Sequence, residues 1–369
     1  MGLLLVLLAL AVVFEHSGGI TGYRLIDGSL AVECFFIISG FYMGLVLNER
    51  YDAPALNRAF FASRAIRVFS LYFLFLGAYL AVFALVQLQD GASPLWPYLK
   101  PSLPLAEKAF LGLLNVTLVG QDLPLWLRID HGHLQWTLHI HPSSGFDVFH
   151  FMLIPAAWSL SLELLFYAMA PFVARRRTWQ VAALMLASLA ARAGSQLLGF
   201  SADALFYRFF PFELALFLAG VLAYRLWAAH RPVWETPLAK VLALSVPLSM
   251  LAYAPLTGTG PSETFFMVPR VALLVLVVLG LPAIHGWTRH LRWDRSIGEL
   301  SYPVYLNHQL VIGIIASMPL LAGYPTMRTL AVALVSAAFA FVVVRFADRR
   351  IEAWRGALAS RSGAKAVHA

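Results

Sequence analysis

Six ionisable side chains stand inside long apolar runs of this 369-residue chain: Glu33, Glu163, Arg192, Glu213, Arg270 and His308. Two more, His16 and Arg208, sit at the edges of such runs. A charged group in hydrocarbon costs a few kcal/mol on insertion scales, so each of these residues is a candidate for function. The plainer alternative is an ion pair between helices that fixes packing, and this is the role expected of Arg192, Arg208, Glu213 and Arg270. His16 is different, because it ends the first apolar run on the same side as Glu33 begins the next, so imidazole and carboxylate can meet. A carboxylate bonded to one ring nitrogen fixes the tautomer and raises the basicity of the other, which is what a general base needs to deprotonate a hydroxyl. The competing reading is a histidine at a water boundary. Glu163 and His308 are secondary candidates for polar contacts in a pore, while Trp158, Phe166 and Tyr167 read equally well as packing.

A second group of residues suggests anion binding. Arg64 and Arg67 lie three positions apart and share a face if helical, where their guanidinium forks suit phosphate oxygens better than the point charge of a lysine. Their competing reading is plain anchoring on the inner side of a membrane. Between residues 89 and 155 the chain carries His131, His133, His139, His141 and His150 with Asp130 and Asp147. Pairs spaced by two in extended chain can chelate a divalent ion, but the preferred reading is a polar, aromatic-rich cap without metal, in which Trp126 and Trp136 stack on sugar rings. Cys34, the one cysteine, permits no intrachain disulfide and no thiolate metal cage.

These residues are set in a chain that is 60% hydrophobic and 12% charged, with a mean hydropathy of +0.75. Such a composition is too apolar for a water-facing surface, and unbroken apolar runs exclude the alternating strands of a β-barrel. The expected fold is therefore an all-α integral membrane protein, a bundle of about ten transmembrane helices. The runs are 2–14, 30–47, 69–88, 156–173, 180–198, 209–227, 239–256, 265–284, 302–321 and 330–346, with a short re-entrant or interfacial helix over 110–120 in the largest outer segment. Residues 1–350 read as one transmembrane domain and 351–369 as a basic cytoplasmic tail. With both termini inside, most arginines fall on inner segments, as the positive-inside rule requires, so the net charge of +8 sets orientation and implies no nucleic acid. No internal repeat supports a transporter built from inverted halves. Met1 to Phe14 lacks the basic start and cleavage site of a signal peptide and reads as a first helix.

Four motifs in order then point to one family. Glu33 to Phe41 reads Glu-Cys-Phe-Phe-Ile-Ile-Ser-Gly-Phe, and Arg64 to Arg67 reads Arg-Ala-Ile-Arg. Trp158 to Tyr167 reads Trp-Ser-Leu-Ser-Leu-Glu-Leu-Leu-Phe-Tyr, and Gly298 to His308 carries Ser-Tyr, then Tyr-Leu, then His. Together with His16 at the end of the first helix, they resemble the acyltransferase 3 family, over nearly the whole chain. The resemblance implies transfer of an acyl group, commonly acetyl from acetyl-CoA, to a hydroxyl of a cell-surface or exported carbohydrate. It implies His16 and Glu33 as catalytic, Arg64 and Arg67 as the CoA clamp, and Ser39, Trp158, Glu163, Tyr305 and His308 as substrate or pore residues. The protein would lie in the inner membrane. A non-enzymatic transporter or flippase of polysaccharide precursors is the alternative, and it would need neither the arginine pair nor CoA.

Two positions depart from the family pattern. Leu5 stands where a basic residue is usual, eleven positions before the histidine, and Ser70 stands where proline is frequent. The first run also spans only roughly 20 Å against a core of about 30 Å, which leaves an upstream start open.

Overall fold

The computed structural model describes residues 1–90, 93–99, 103–137, 148–199, 205, 207–258, 267–348, 351, 353 and 354. They form a helical bundle with a small cap. In chain order the elements are α1 (Gly2–Ser17), α2 (Gly28–Glu49), α3 (Asn57–Asp90), α4 (Trp96–Leu99), α5 (Leu105–Thr117), β1 (Leu127–Asp130) and β2 (His133–Trp136). After the cap come α6 (Trp158–Val173), α7 (Thr178–Leu197), α8 (Phe210–Ala229), α9 (Pro237–Thr257) and α10 (Val268–Thr288). The chain continues with α11 (Arg292–Gly298), α12 (Ser301–Ala316) and α13 (Pro325–Val343).

Among the described residues, seven stretches are long and apolar enough to cross a membrane: Gly28–Glu49, Pro54–Gln89, Pro155–Val173, Phe210–Ala229, Pro237–Thr257, Val268–Thr288 and Pro325–Phe346. The architecture is therefore that of a multi-pass membrane protein. The other three expected spans are helical too, but α1 and α12 have 16 residues each, roughly 24 Å. Helix α7 is too polar to qualify, with Arg192 in its apolar stretch. Helix α3 runs the other way, with 34 residues or roughly 51 Å, so it carries Arg58, Arg64 and Arg67 at one end and reaches the cap at the other. The arginine pair expected on an inner loop is therefore helical.

Helix α1 lies against α2, α11, α12 and α13. It ends where Gly18 turns left-handed at φ 96° and its N–H bonds the Phe14 carbonyl. The start of α2 is set by Asp27, whose Oδ1 accepts from the Ser29 amide at 2.7 Å. Helix α2 crosses α8 closely, and glycine makes this possible. A Cβ on Gly40 would stand 1.8 Å from the Phe217 carbonyl oxygen, and one on Gly220 1.9 Å from that of Ile37. Small residues let helix backbones approach in this way in lipid. Gly220→Ala is expected to force the helices apart and lower stability by about 1–3 kcal/mol, read as a lower thermal midpoint in detergent; an unchanged midpoint would refute the crossing.

The cap is built on a second, smaller core of Leu103, Leu111, Leu114, Val148 and Phe151. Asn115 ties it together, its Nδ2 donating to the Leu111 and Phe151 carbonyls at 2.9 Å and its Oδ1 accepting from the Leu153 amide at 2.8 Å. Tyr72 of α3 donates to the Asn115 carbonyl at 2.6 Å, and the Gly120 amide donates to Ser161 Oγ of α6 at 2.9 Å, so the cap is fastened to the bundle. Sequence reading expected no sheet here. The hairpin β1–β2 forms because His131 and Gly132 both adopt positive φ, the two-residue turn that antiparallel strands favour.

Candidate functional site

Helix α2 supplies one wall of a cavity of about 500 Å³. Val32, Phe35, Phe36, Ser39, Tyr42, Met43, Val46 and Arg50 line it. Their spacing of three or four residues places them on one face of the helix, and the 18 positions from Val32 to Arg50 extend over roughly 27 Å. The cavity thus runs along most of a bilayer's depth. At one end its lining includes Arg50, Arg64, Arg67, Arg289 and Arg295. The Nε–H groups of Arg50, Arg64 and Arg289 have no acceptor among the described residues. Guanidinium donors gathered at a cavity mouth suit a phosphate-bearing ligand.

In the middle, Glu163 of α6 faces the cavity. Its Oε1 accepts from Ser39 Oγ at 2.7 Å and from the Tyr167 hydroxyl, which fixes the carboxylate in place. At the far end stand Ser159 and Tyr305, whose hydroxyls share a hydrogen bond at 2.7 Å and lie 3.0 and 3.1 Å from the Ala156 carbonyl oxygen, which accepts from the one whose proton is left over. Of the expected pore residues, Ser39, Glu163 and Tyr305 line this cavity, together with the clamp residues Arg64 and Arg67.

Trp158 and His308 lie just beyond it. Trp158 packs edge-on against Tyr207 beneath the Arg208 guanidinium, 4.6 Å from the ring centre. The His308 ring is 5.9 Å from that of Tyr305 on one side and 5.1 Å from that of His16 on the other. The sequence of groups from the arginine mouth is therefore Glu163, the Tyr305–Ser159 hydroxyls, His308 and His16. The Tyr79 hydroxyl braces helix α12 at this point, donating to the Leu306 carbonyl and accepting from the Leu310 amide, both at 3.0 Å.

His16 is exposed, and its Nδ1 lies 2.9 Å from the Val12 carbonyl, one turn back in α1. A carbonyl only accepts, so Nδ1 carries the proton and the neutral ring presents a bare Nε2. This is the geometry of a general base, but its orienting group is not the one expected. Glu33 does not bond His16. It is fully buried on another face of α2, where Oε1 meets Arg192 Nη2 at 2.9 Å and Oε2 meets Arg270 Nη2 at 2.7 Å. Glu33 and Phe35 are two residues apart, about 200° around the helix, so they point in nearly opposite directions. Arg192 also stands 3.1 Å from Glu213, and Arg270 bonds Ser29 Oγ at 2.9 Å and lies 3.7 Å from Asp27. The network ties α2 to α7, α8 and α10. Here Arg192, Glu213 and Arg270 are the cross-helix pairs anticipated, with Glu33 as the shared partner of the two arginines.

Some expectations for the cap also change. Trp126 is only 8% exposed and packs edge-on to Phe209, so it offers no face to a sugar; Trp136 is 72% exposed. His131 and His133 are engaged by Asp130 and Glu107, each at 2.9 Å. The bond from His133 holds the Glu107 carboxyl below its ordinary range. His139, His141 and Asp147 lie outside the described residues. Among those described, no three potential ligands gather at a metal site. At the arginine end, Asp294 accepts from the Gly2 and Leu3 amides at 2.8 and 2.9 Å, anchoring α1 to α11 beside the cavity.

The sequence presents Arg50, Arg289 and Arg295 as orientation charges and places Ser159 and Tyr302 inside the quoted motifs without a role of their own, while His285 gives no signal. All six line the cavity. Periodicity along α2 was the one clue to the wall.

Comparison with known proteins follows from this geometry. The family model described as an acyltransferase domain matches residues 3–345. The chain is 27% identical over 325 residues to the exopolysaccharide production protein ExoZ of Rhizobium meliloti (strain 1021), covering 87% of this chain and 88% of that one. No solved structure matches.

Proposed function

This chain belongs to the acyltransferase domain family, and from that premise we propose that it moves an acyl group, acetyl, from acyl-CoA to a hydroxyl of an exported polysaccharide. The enzyme class is that of an O-acyltransferase, so the transporter alternative falls away. The observation that carries the donor half is the cavity whose mouth gathers five arginines and whose far end reaches Tyr305, beside the two histidines. In this reading the phosphates of CoA rest on Arg64, Arg67 and their neighbours, and the thioester arm extends past Glu163 to the Tyr305–Ser159 hydroxyls. The similarity to a protein of exopolysaccharide production supports a carbohydrate acceptor.

The chemistry needs a base on the acceptor side. His16 Nε2 takes the proton of the acceptor hydroxyl, and the oxygen's electron pair forms a bond to the thioester carbonyl carbon. The tetrahedral adduct then expels the CoA sulfur with its electron pair, and the sulfur takes up the proton. In this proposal about ten helices cross the plasma membrane, with both termini and the arginine mouth cytoplasmic and the cap outside. Helix α5 lies at the outer membrane–water boundary, with Leu105, Phe110, Leu113 and Val116 exposed toward lipid.

A double Arg64→Ala, Arg67→Ala variant tests the clamp. Each guanidinium–phosphate contact is worth about 1.5–3 kcal/mol, so KM for acetyl-CoA should rise at least tenfold, and more steeply at low salt. Release of CoA measured against acetyl-CoA concentration checks this; an unchanged KM would remove the clamp from these residues.

A further inference from the structure

His308 is the most conspicuous polar group that this mechanism leaves without a task. It is 0% exposed, and its Nδ1 donates to the Tyr305 carbonyl at 2.7 Å. That bond fixes the ring and the tautomer, so Nε2 is a bare acceptor, and it has no partner among the described residues. A buried acceptor without a donor is unfavourable by about 1–3 kcal/mol, and nothing in packing requires a histidine there. The ring it faces is that of His16, at 5.1 Å between centroids and 57° between planes. Both histidines are therefore prepared alike, each with Nδ1–H on a carbonyl one turn back and each with Nε2 bare.

We propose that His308 is a positioning residue for His16, whose buried Nε2 accepts a hydrogen bond from the His16 imidazolium formed during transfer. This rests on the acyl-transfer reading given above. A neutral His16 has one N–H, which Val12 holds. Once it has taken the acceptor's proton it has two, and the second needs an acceptor when the alkoxide oxygen has become an ester. His308 Nε2, itself fully buried, supplies one beside it. His308 does not line the cavity and touches no substrate, so it acts through His16 alone.

Two substitutions separate this role from simple packing. His308→Asn keeps a donor near the Nδ1 position but removes the Nε2 acceptor, whereas His308→Gln places an amide oxygen near Nε2. In purified full-length protein assayed for CoA release with acetyl-CoA and a glycan acceptor, His308→Asn should lower kcat roughly ten- to hundredfold, the loss of one hydrogen bond to a charged group, at unchanged KM for acetyl-CoA. His308→Gln should recover kcat to within about threefold of wild type, the margin left by an imperfect acceptor. A His308→Asn enzyme as fast as wild type overturns the proposal, as does a His308→Gln enzyme no better than His308→Asn. If the Asn variant does not fold, the Gln variant decides alone: near-wild-type turnover supports the pairing, and a loss as deep as that of His16→Ala overturns it. A wild-type protein that neither binds acetyl-CoA nor releases CoA overturns the donor reading itself and the pairing with it; an active wild type with an indifferent His308 overturns only the pairing.

Discussion

His16→Ala is expected to reduce acyl transfer by about 10²- to 10⁴-fold in kcat while leaving acetyl-CoA binding intact. The size follows from the task, since a hydroxyl is a poor nucleophile until its proton is removed in the transition state. The selectivity follows from place. His16 is exposed beyond the far end of the cavity, whereas the arginines that would hold the donor line the other end. His16→Gln should fail as well, because an amide oxygen accepts a hydrogen bond but takes no proton at neutral pH. CoA release by the detergent-solubilised enzyme gives kcat, and equilibrium binding of acetyl-CoA gives the donor affinity. Full transfer activity in His16→Ala would remove the general base from this account.

The second large effect concerns stability. Removing one member of a buried ion network leaves its partners charged and uncompensated, at a cost of about 3–5 kcal/mol. Arg192→Leu would leave Glu213 without its cation and Glu33 with Arg270 alone. The thermal midpoint in detergent should fall by on the order of 10 °C. A double replacement, Arg192→Met with Glu213→Gln, should recover much of it, since Glu33 keeps Arg270 and no charge is left to strand. The same reasoning assigns Glu33 to the frame of the site. Glu33→Gln should lower the midpoint while the folded fraction keeps its kcat. A loss of kcat at an unchanged midpoint would return Glu33 to the chemistry beside His16.

Much of the architecture was legible in the chain itself. Apolar runs of roughly 20 residues gave the helices, because backbone groups in lipid must satisfy one another within each segment. The rarity of charge in those runs singled out the residues that matter, since each charge carries an insertion penalty. The same pattern also marked α1, α7 and α12, which fold as helices but fall short in length or hydropathy of the seven clear spans. Such elements are supported by neighbours, as α1 is by the helices around it. The hairpin in the cap escaped notice because His131 at positive φ is not a glycine signal, and only the adjacent Gly132 hinted at the turn.

What the sequence determined by itself was the membrane class, the positions of most helices and the list of polar groups that lipid would not tolerate without a purpose. Tertiary structure alone decided which of those groups meet. Glu33 was expected at His16, but the rotation of α2 against α8, fixed by the contact of Gly40 and Gly220, turns it toward Arg192 and Arg270. His16 takes its orientation from a backbone carbonyl, which every residue possesses and no motif can announce. The partner it meets, His308, lies 292 positions later in the chain. Spacing along a helix tells which residues share a face, but which faces meet is set by close packing between helices, and that is a property of the whole bundle.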